Sequence, residues 1–457
     1  KKSISLENCN RYSCFKKGPS SDPANYRPIS QTSIFCKLME RIIVAEMTDY
    51  LLHNNMITRH QHGFLNRRSI ATNILECLSD WTLAIDNNQT RTVVYIDFAR
   101  AFDTVSRPKL MTKLQGYGIT GNLLQFISSF LHERNQKTRV GQSVSNAVQL
   151  TSGIVQGSCL GPLLFLIYIN DVTSIFDELV KPKLFADDLK LYTSVKSNDD
   201  CKLLQANLDK LAQWANDWQL KISSTKCCVL DIGRKMDAVN YYIDGQLLPS
   251  VDQVTDLGIT LDSKLRFSIH INKIVKKSIT RANLILKCFY SRDTSNLIKA
   301  FKVYVRPIIE YCSPAWSPHL VKDIILLESV QRKFTKRLPG MQNIPYPQRL
   351  KQLGLERLDV RRLRADLMLA YKIIFGIVAD IDISNFFTVC RNEYNTRGHR
   401  FKLLATLAKR DKRHYFYSLR VVRVWNSLPD DTNFSSLLTF KKSLYCANLQ
   451  NFCTVCY

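Results

Sequence analysis

The stretch KLFADDLKLYT, from Lys183 to Thr193, indicates the fold most directly. Two short apolar arms flank the adjacent carboxylates Asp187 and Asp188, a pattern typical of a β-hairpin with a tight acidic turn. Placing two carboxylates side by side between apolar strands costs stability, so the turn invites a functional explanation. The stretch therefore predicts a sheet that presents two acidic side chains at one end.

Other Asp-Asp pairs in the chain serve as internal controls, because they lack apolar strands on both sides. Asp199 and Asp200 precede a predicted helix, as is typical of a helix cap. Asp430 and Asp431 follow a proline in a predicted loop. An Asp-Asp pair alone therefore predicts little, and the apolar context is what distinguishes the pair in the hairpin.

A third carboxylate follows another predicted strand. The segment TVVYIDF, from Thr92 to Phe98, is β-branched and aromatic, and Asp97 stands at its exit. Pro108 then marks the start of a short helix that stops at Gly116 or Gly118. We therefore expect the Asp97 carboxylate to lie at the end of this strand.

Helical periodicity surrounds these strands. Helices are predicted over 36–52 and 71–85, and an amphipathic helix is predicted to carry the apolar residues of 204–218. Gly161 and Pro162 open a further helix whose apolar run implies burial on all sides. Strands and helices mixed along the chain are typical of the α+β class.

From about residue 264 the chain is predicted to be helical and basic. The clearest apolar stripe consists of Ile324, Leu327, Val330, Phe334 and Leu338. Basic runs occur at 361–364 and 409–413. For any single run the usual interpretation is a solvated helix face. The repetition of such runs favours a surface that binds the phosphate backbone of a nucleic acid.

Composition predicts a packed protein with a polyanionic partner. Hydrophobic residues make up 45% of the 457 residues, which is too apolar for a disordered chain. The 64 Lys and Arg exceed the 39 Asp and Glu, and the net charge of +25 attracts phosphate backbones. The alternative is a basic protein that rests on acidic surfaces or membranes.

Several features predict an intracellular, non-secreted protein. No secretory signal follows Lys1, and the longest apolar run is far below the roughly 18 residues needed to span a bilayer. The 14 Cys are scattered through apolar stretches, which favours reduced, buried thiols. Cys446, Cys453 and Cys456 are not followed by a fourth ligand, so zinc is not expected there.

The three carboxylates suit the extension of a nucleic acid strand. In that reaction a 3′ hydroxyl attacks an α-phosphate, and charge grows on both the attacking and the leaving oxygen. Two divalent cations about 4 Å apart stabilise both oxygens, and Mg²⁺ prefers carboxylate ligands. Asp97, Asp187 and Asp188 are therefore the candidate ligands of two Mg²⁺ ions, for which Mn²⁺ is the possible substitute.

Six ordered motifs resemble those of reverse transcriptases from non-LTR retrotransposons. FADD at 185–188 looks like the catalytic motif, and DFARAFD at 97–103 resembles the first palm motif. The other four follow the family order: NYRPIS at 25–30, QHGF at 61–64, QGSCLGPLLFLIYINDV at 156–172 and LGITLD at 257–262. Downstream, RPIIEYCSPAWSP and VVRVWNSLPD resemble segments of jockey-like and CR1-like LINE elements. Together these motifs are highly specific.

The resemblance implies roles at the metal ions. Asp97 and Asp187 would bind both ions, Asp188 would assist, and the Phe98 carbonyl would complete the shell. Lys226, in KISSTKCCVL, would be the general acid that protonates pyrophosphate. Its alternative role is that of an ordinary surface lysine.

The resemblance also implies how a nucleotide binds. Phe102 would be the steric gate that excludes a ribose 2′ hydroxyl, with core packing as its alternative role. Gln156 and Gly157 would lie beside the incoming base and template, where glycine allows close backbone approach. The triphosphate would be clamped by three basic residues, Lys17, Arg27 and Arg68. Arg67 is adjacent to Arg68, and one sequence does not choose between them.

Two departures from the family pattern affect these expectations. Val155 stands where the family usually has proline, which is expected to loosen the loop without removing a catalytic group. The region before Lys16 matches the family poorly. Such elements normally carry an endonuclease upstream and none is present in this sequence, so the endonuclease is expected to be supplied elsewhere.

The sequence thus predicts an α+β right-hand polymerase. Its expected regions are an N-terminal segment with fingers at 1–90, a palm at 91–262, a thumb at 263–345 and a basic helical C-terminal region at 346–457. The expected activity is RNA-directed DNA synthesis on the element RNA from deoxynucleoside triphosphates, primed by a DNA primer or nicked target DNA. A ribonucleoprotein of nucleus and cytoplasm, without a membrane partner, is expected.

Two rival interpretations stay open on the sequence alone. A catalytically inactive or domesticated copy would act only as an RNA-binding protein, although the intact carboxylate trio favours activity. A viral-type RNA replicase would share the palm. Against that replicase, Phe102 favours the selection of deoxynucleotides.

Overall fold

The computed structural model describes residues 8–15, 19–22, 25–30, 32–132, 134–140, 142–233, 239–379, 381–390 and 398–455; for 8–15, 27 and 28 it describes only the backbone. The strands are β1 (Asn8–Phe15), β2 (Tyr26–Ser30), β3 (Thr90–Ile96), β4 (Asn135–Val140), β5 (Ser143–Val144), β6 (Val148–Gln149), β7 (Lys181–Phe185), β8 (Asp188–Val195), β9 (Cys228–Ile232), β10 (Tyr242–Ile243), β11 (Gln246–Leu247), β12 (Gln253–Asp256) and β13 (Ile259–Asp262).

The α-helices are α1 (Ile34–His53), α2 (Ile70–Asp86), α3 (Ala101–Thr104), α4 (Arg107–Gly116), α5 (Gly121–Leu131), α6 (Leu160–Ile169), α7 (Asn198–Asp217), α8 (Ser268–Cys288), α9 (Thr294–Tyr304), α10 (Arg306–Glu310), α11 (Ser313–Trp316), α12 (Val321–Lys336), α13 (Tyr346–Gln352), α14 (Leu358–Ile374), α15 (Asp411–His414), α16 (Tyr417–Asn426) and α17 (Leu437–Cys446). Short 3₁₀ helices cover Asn170–Ile175, Ser224–Lys226, Ile383–Asn385 and Leu449–Phe452.

The structure confirms the predicted α+β class and the main predicted elements. The acidic hairpin is β7–β8, the strand before Asp97 is β3, and the helices predicted over 36–52 and 71–85 are α1 and α2. Asp200 belongs to a capping box with Ser197 at the start of α7, as its position before a helix predicted. Within the described residues, no helix has both the length and the apolar character to cross a membrane.

The chain divides into two compact units. The first comprises Lys1–Leu65, Thr92–Val229 and Asp237–Ser250. The second comprises Asn66–Arg91, Leu230–Met236 and Val251–Tyr457. The predicted boundaries of fingers, palm and thumb stay predictions.

The core of the first unit surrounds α6, and a sheet has the strand order β7–β8–β3–β9. Every residue of α6 except Pro162 is buried, which confirms the burial predicted from its apolar run. The N-terminal end of α6 receives the Glu40 carboxylate, whose Oε2 accepts hydrogen bonds from Cys159 N at 2.6 Å and Leu160 N at 2.9 Å. A carboxylate there satisfies two amide groups and complements the helix dipole.

A second sheet in the first unit was not predicted. Its strands follow the order β2–β1–β4–β5, and β6 also pairs with β4. β1 pairs with β4 in parallel, so the two partners come from distant parts of the chain. Their sequences, NCNRYSCF and NQKTRV, are too polar to show the alternation that signals a half-buried strand.

The second unit contains α2, α8 to α17 and the hairpin β12–β13. The predicted stripe from Ile324 to Leu338 is buried as expected, and Phe334 stacks on Phe301 of α9 with ring centroids 4.7 Å apart. The motif at 257–262 falls on the β12–β13 turn and β13. This unit therefore has its own apolar core.

The prediction of a phosphate-binding surface at 361–364 is wrong. Arg364 donates to both carboxylate oxygens of Glu356, at 2.5 and 2.8 Å, and Arg361 pairs with Glu310. Arg362 is buried. In the second run Arg413 is likewise held inside the unit, where it donates to Thr82 Oγ1 at 3.2 Å. Glu310 lies 51 positions from Arg361, and Glu356 lies 8 positions from Arg364, so both partners lie outside the basic run and the run considered alone did not reveal them.

Candidate active site

The acidic turn of the β7–β8 hairpin is held by a buried glutamine. Phe185 pairs with Asp188, so Ala186 and Asp187 form the turn, and Ala186 has a φ of 58°. A positive φ is uncommon outside glycine and persists only when neighbouring groups hold it. Gln61 Oε1 accepts a hydrogen bond from Ala186 N at 2.8 Å, and Nε2 donates to Ala186 O at 3.3 Å. The turn therefore has a fixed backbone.

Asp97 follows β3 and is fixed through its main chain. Its carbonyl accepts a hydrogen bond from Ser223 N at 2.7 Å, and its N–H donates to Cys227 Sγ at 3.4 Å. The side-chain Oδ2 accepts a hydrogen bond from Lys226 Nζ at 2.9 Å. Burial raises the pKa of the Cys227 thiol to about 11, so this group stays neutral beside Asp97 at physiological pH.

One cleft brings most of the predicted residues together. Its volume is about 1390 Å³. The predicted residues that line it are Asp97, Phe98, Phe102, Gln156, Gly157, Asp187 and Lys226. All of them belong to the first unit. Asp188 is exposed and is not among the lining residues, so the cleft unites two of the three predicted carboxylates.

Phe102 packs against the core and also borders the cleft. Its ring stacks on Phe165 of α6 with centroids 4.3 Å apart and an interplanar angle of 15°. The exposed ring of Phe64 approaches it edge-on at 6.2 Å. Stacking on a buried helix holds the Phe102 ring in one orientation, as a steric gate requires.

Gln156 and Gly157 lie in a loop that contacts both the first motif and β2. Gln156 Nε2 donates to Asp103 Oδ1 at 2.8 Å, and Gln156 O accepts from Ser30 N at 2.8 Å. Gly157 has a φ of 104°, and a Cβ there would lie 2.5 Å from Ser30 O. Both the conformation and the space therefore require glycine at this position.

The start of the same loop is tied to α3 and α4. Ile154 N donates to Phe102 O at 2.9 Å, and Gly153 N donates to Val105 O at 2.8 Å. The buried Arg107 side chain donates to three carbonyls of the loop, those of Leu150, Ser152 and Gly153. These contacts fix the loop relative to the predicted gate.

The predicted triphosphate clamp is not assembled among the described residues. Lys17 lies outside them, and Arg27 is described only as part of the β2 backbone. Arg68 belongs to the second unit, next to Ser69, the N-cap of α2. The roles of these three residues stay predictions.

The cleft holds two of the three carboxylates that were predicted as metal ligands. In the part of the chain that the structure describes, no three His, Cys, Asp or Glu side chains are grouped closely enough to hold a metal ion. Mg²⁺, however, is commonly held by one or two carboxylates plus substrate phosphates and water. Asp97 and Asp187 supply two such carboxylates, and Lys226 Nζ lies 2.9 Å from Asp97 Oδ2.

Three side chains that contact the loops of the site were not singled out from the sequence. Gln61 and Asp103 lie inside motifs that the sequence displays, at 61–64 and 97–103, so those motifs were the signal for them. Glu40, which caps α6, is a single carboxylate on a helix and carried no such signal. All three act on loops that border the cleft or on its acidic turn.

Comparisons with known proteins identify the family of this chain. The family model described as "Reverse transcriptase (RNA-dependent DNA polymerase)" matches residues 15–261, more than half of the chain. In Drosophila melanogaster, the "Probable RNA-directed DNA polymerase from transposon BS" is 29% identical over 65% of this chain and 33% of its own length. The "RNA-directed DNA polymerase from mobile element jockey" is 27% identical over 70% of this chain and 36% of its own length.

The chain thus spans about a third of the length of these relatives. Among solved structures, a telomerase from Candida tropicalis in complex with a TWJ fragment of telomeric RNA is similar. The match has a TM-score of 0.48 and 11% identity, and it covers 96% of this chain and 64% of that chain.

Proposed function

Because the chain belongs to the reverse transcriptase family, in the type encoded by non-LTR retrotransposons, we propose that it copies an RNA template into DNA. The observation that carries this proposal is the meeting of Asp97, Asp187, Phe102 and Gln156 in one cleft. These residues come from three separate motifs, and Asp97 and Asp187 supply the carboxylates that two-metal nucleotidyl transfer requires. The α+β fold is that of a right-hand polymerase.

Members of this family work with divalent metal ions, and we propose Mg²⁺, with Mn²⁺ as a substitute. Asp97 and Asp187 would hold the ions, with help from Asp188 and the Phe98 carbonyl. When bound, two such ions stabilise the charge on the attacking and leaving oxygens. Phe98 lies opposite Ile222 in an isolated β-bridge. The two hydrogen bonds of this bridge run from Ala99 N to Lys221 O and from Ser223 N to Asp97 O, so neither uses the Phe98 carbonyl.

The protein's own residues would orient the nucleotide. The Phe102 ring is stacked on Phe165. As the proposed steric gate it would exclude a 2′ hydroxyl and so select deoxynucleotides. Gln156 and Gly157 would lie beside the base and template. Lys226 lines the same cleft and would donate a proton to the pyrophosphate.

The proposed partners are the element RNA, a DNA primer or nicked target DNA, and deoxynucleoside triphosphates. Arg27, Lys17 and Arg68 are proposed to contact the triphosphate. The net charge of +25 supports a polyanionic partner. We further propose that the protein works in a ribonucleoprotein of nucleus and cytoplasm.

Primer extension tests this function. The purified chain receives an RNA template annealed to a DNA primer, four deoxynucleoside triphosphates and Mg²⁺. We expect extension that Asp187→Asn lowers at least about 100-fold, because a metal ligand is lost. Asp431→Asn, which alters an exposed aspartate of another Asp-Asp pair, should extend like the wild type.

The opposite result has a definite meaning. Suppose that the wild type and Asp187→Asn both bind RNA, and that primer extension shows no metal-dependent difference between them. This result would support an RNA-binding remnant. It would overturn the polymerase proposal.

A further inference from the structure

The segment that precedes Phe64 runs beside the acidic hairpin. Gln61 forms a parallel bridge with Leu184 of β7. His62 N donates to Leu184 O at 2.9 Å, and Leu184 N donates to His60 O at 2.9 Å. The segment therefore pairs with β7 in a fixed register. Gln61 lies opposite Leu184, two positions before Ala186.

The Gln61 side chain connects this segment to the turn. It is buried, with 2% of its surface exposed. Oε1 accepts hydrogen bonds from Ala186 N and from Gly63 N, both at 2.8 Å. One amide oxygen thus joins the two backbones, and buried amide groups of this kind lose a partner if the oxygen is removed.

Gly63 allows the two backbones to approach closely. A Cβ at this position would lie 2.4 Å from Ala186 N and 3.1 Å from Phe185 C. Both atoms belong to the backbone, so they cannot swing away as the end of a flexible side chain would. Gly63 does not have a positive φ, and the need for glycine is therefore one of space.

We propose that Gln61 and Gly63 are positioning residues for the acidic turn, and that they set the place of the Asp187 carboxylate in the cleft. This inference rests on the proposed function. Ala186 has a φ of 58° and immediately precedes Asp187. A shift of the Ala186 peptide therefore moves the carboxylate, whereas Gln156 and Phe102 are held by other contacts.

The inference predicts a particular kinetic pattern. A displacement of about 1 Å at a reacting centre lowers a rate by roughly 100-fold. Because the residues proposed to contact base and sugar are untouched, nucleotide binding should change little. Loss of positioning should therefore appear in kcat for nucleotide incorporation, and the KM for the deoxynucleoside triphosphate should stay within about twofold.

The first test compares two glycine substitutions. Gly63→Ala places its methyl group against Ala186, whereas Gly116→Ala adds a methyl group that meets no atom within 4 Å apart from the neighbouring backbone of its own helix. We expect kcat to fall by about 10- to 100-fold in Gly63→Ala and to stay at the wild-type value in Gly116→Ala. Circular dichroism shows whether both variants are folded.

The second test removes the amide without changing the volume much. Gln61→Met takes away the oxygen that joins Ala186 and Gly63. Gln331→Met is its control, because Gln331 is also fully buried and donates to Glu356 O at 2.9 Å and to the Tyr346 hydroxyl at 3.1 Å, in the second unit. Both variants should melt at lower temperature, but only Gln61→Met should lose kcat by about tenfold or more.

Each outcome decides the inference. Wild-type kcat in a folded Gly63→Ala or Gln61→Met, or an equal loss in Gln331→Met, overturns it. A raised KM with unchanged kcat also overturns it. The wild type and Asp187→Asn are assayed in parallel, so a failure of the positioning role, with an active wild type, differs from a failure of the polymerase assignment, with an inactive one.

Discussion

Two ion-paired carboxylates, Asp97 of the first unit and Asp366 of the second, are placed in opposite ways. Asp97 is 39% exposed and contacts Lys226, which is 65% exposed. Asp366 is 3% exposed and accepts two hydrogen bonds from Arg420, at 3.0 and 3.1 Å. The first pair lies in a cleft, and the second lies inside a packed helical core.

This difference shows how the same residue type can serve catalysis or folding. An exposed ion pair contributes less than about 1 kcal/mol to stability, so its lysine can be exchanged for another cation at small cost. A buried pair is destabilised strongly when one partner is removed, because the other charge is left without compensation. A carboxylate whose cationic partner can be exchanged suits a site that binds metal and substrate. A carboxylate with a permanent buried partner suits a core.

The largest effect on stability is expected at Asp366. Asp366→Asn leaves the Arg420 guanidinium without its buried counter-charge, and we expect the free energy of unfolding to fall by about 3–5 kcal/mol. Asp97→Asn, the matched change in the cleft, should cost less than about 1 kcal/mol. Urea denaturation followed by circular dichroism measures both. Equal losses in the two variants would remove the distinction between the pairs.

A smaller effect is expected from the proposed gate. Phe102→Val shortens the ring that borders the cleft, and incorporation of ribonucleotides relative to deoxynucleotides should rise by about 10- to 100-fold. Phe301→Val is the control, since Phe301 stacks on Phe334 in the second unit. That control should lower stability without changing the ratio. An unchanged ratio in Phe102→Val would show that the ring is only a core residue.

The smallest effect is expected at Lys226. Lys226→Gln removes the proposed proton donor and the partner of Asp97, and the rate of single-turnover incorporation should fall by about tenfold. Water can replace part of its role, because the side chain is largely exposed. Lys221→Gln removes the same charge from a nearby exposed lysine and should leave the rate unchanged. A similar loss in both variants would indicate a general charge effect instead.

Local patterns in the sequence predicted the parts of the fold that local contacts determine. The apolar arms around Asp187, the strand before Asp97 and the apolar run of α6 each carry their signal within about ten residues, and the structure has each element there. Their shared cleft was expected only through the resemblance to a family, because neither periodicity nor spacing shows which loop ends meet in space.

Contacts between distant segments escaped prediction. The β1–β4 sheet is built from polar strands that pair across more than a hundred residues. Arg361 likewise pairs with Glu310, which lies 51 positions earlier in the chain. Gln61 and Ala186 are 125 positions apart, so the hydrogen bond between them was not predicted, although both residues lie in recognised motifs. Such partners are determined by tertiary packing, which a single sequence does not display.

The most direct test of the central claim is the rate of primer extension on an RNA template by wild type and Asp97→Asn, with and without Mg²⁺. The cleft carboxylates should make extension depend on the metal, and Asp97→Asn should reduce the rate at least about 100-fold while the protein keeps its fold. Extension by a folded Asp97→Asn at the wild-type rate, or no extension by the wild type, would contradict the account.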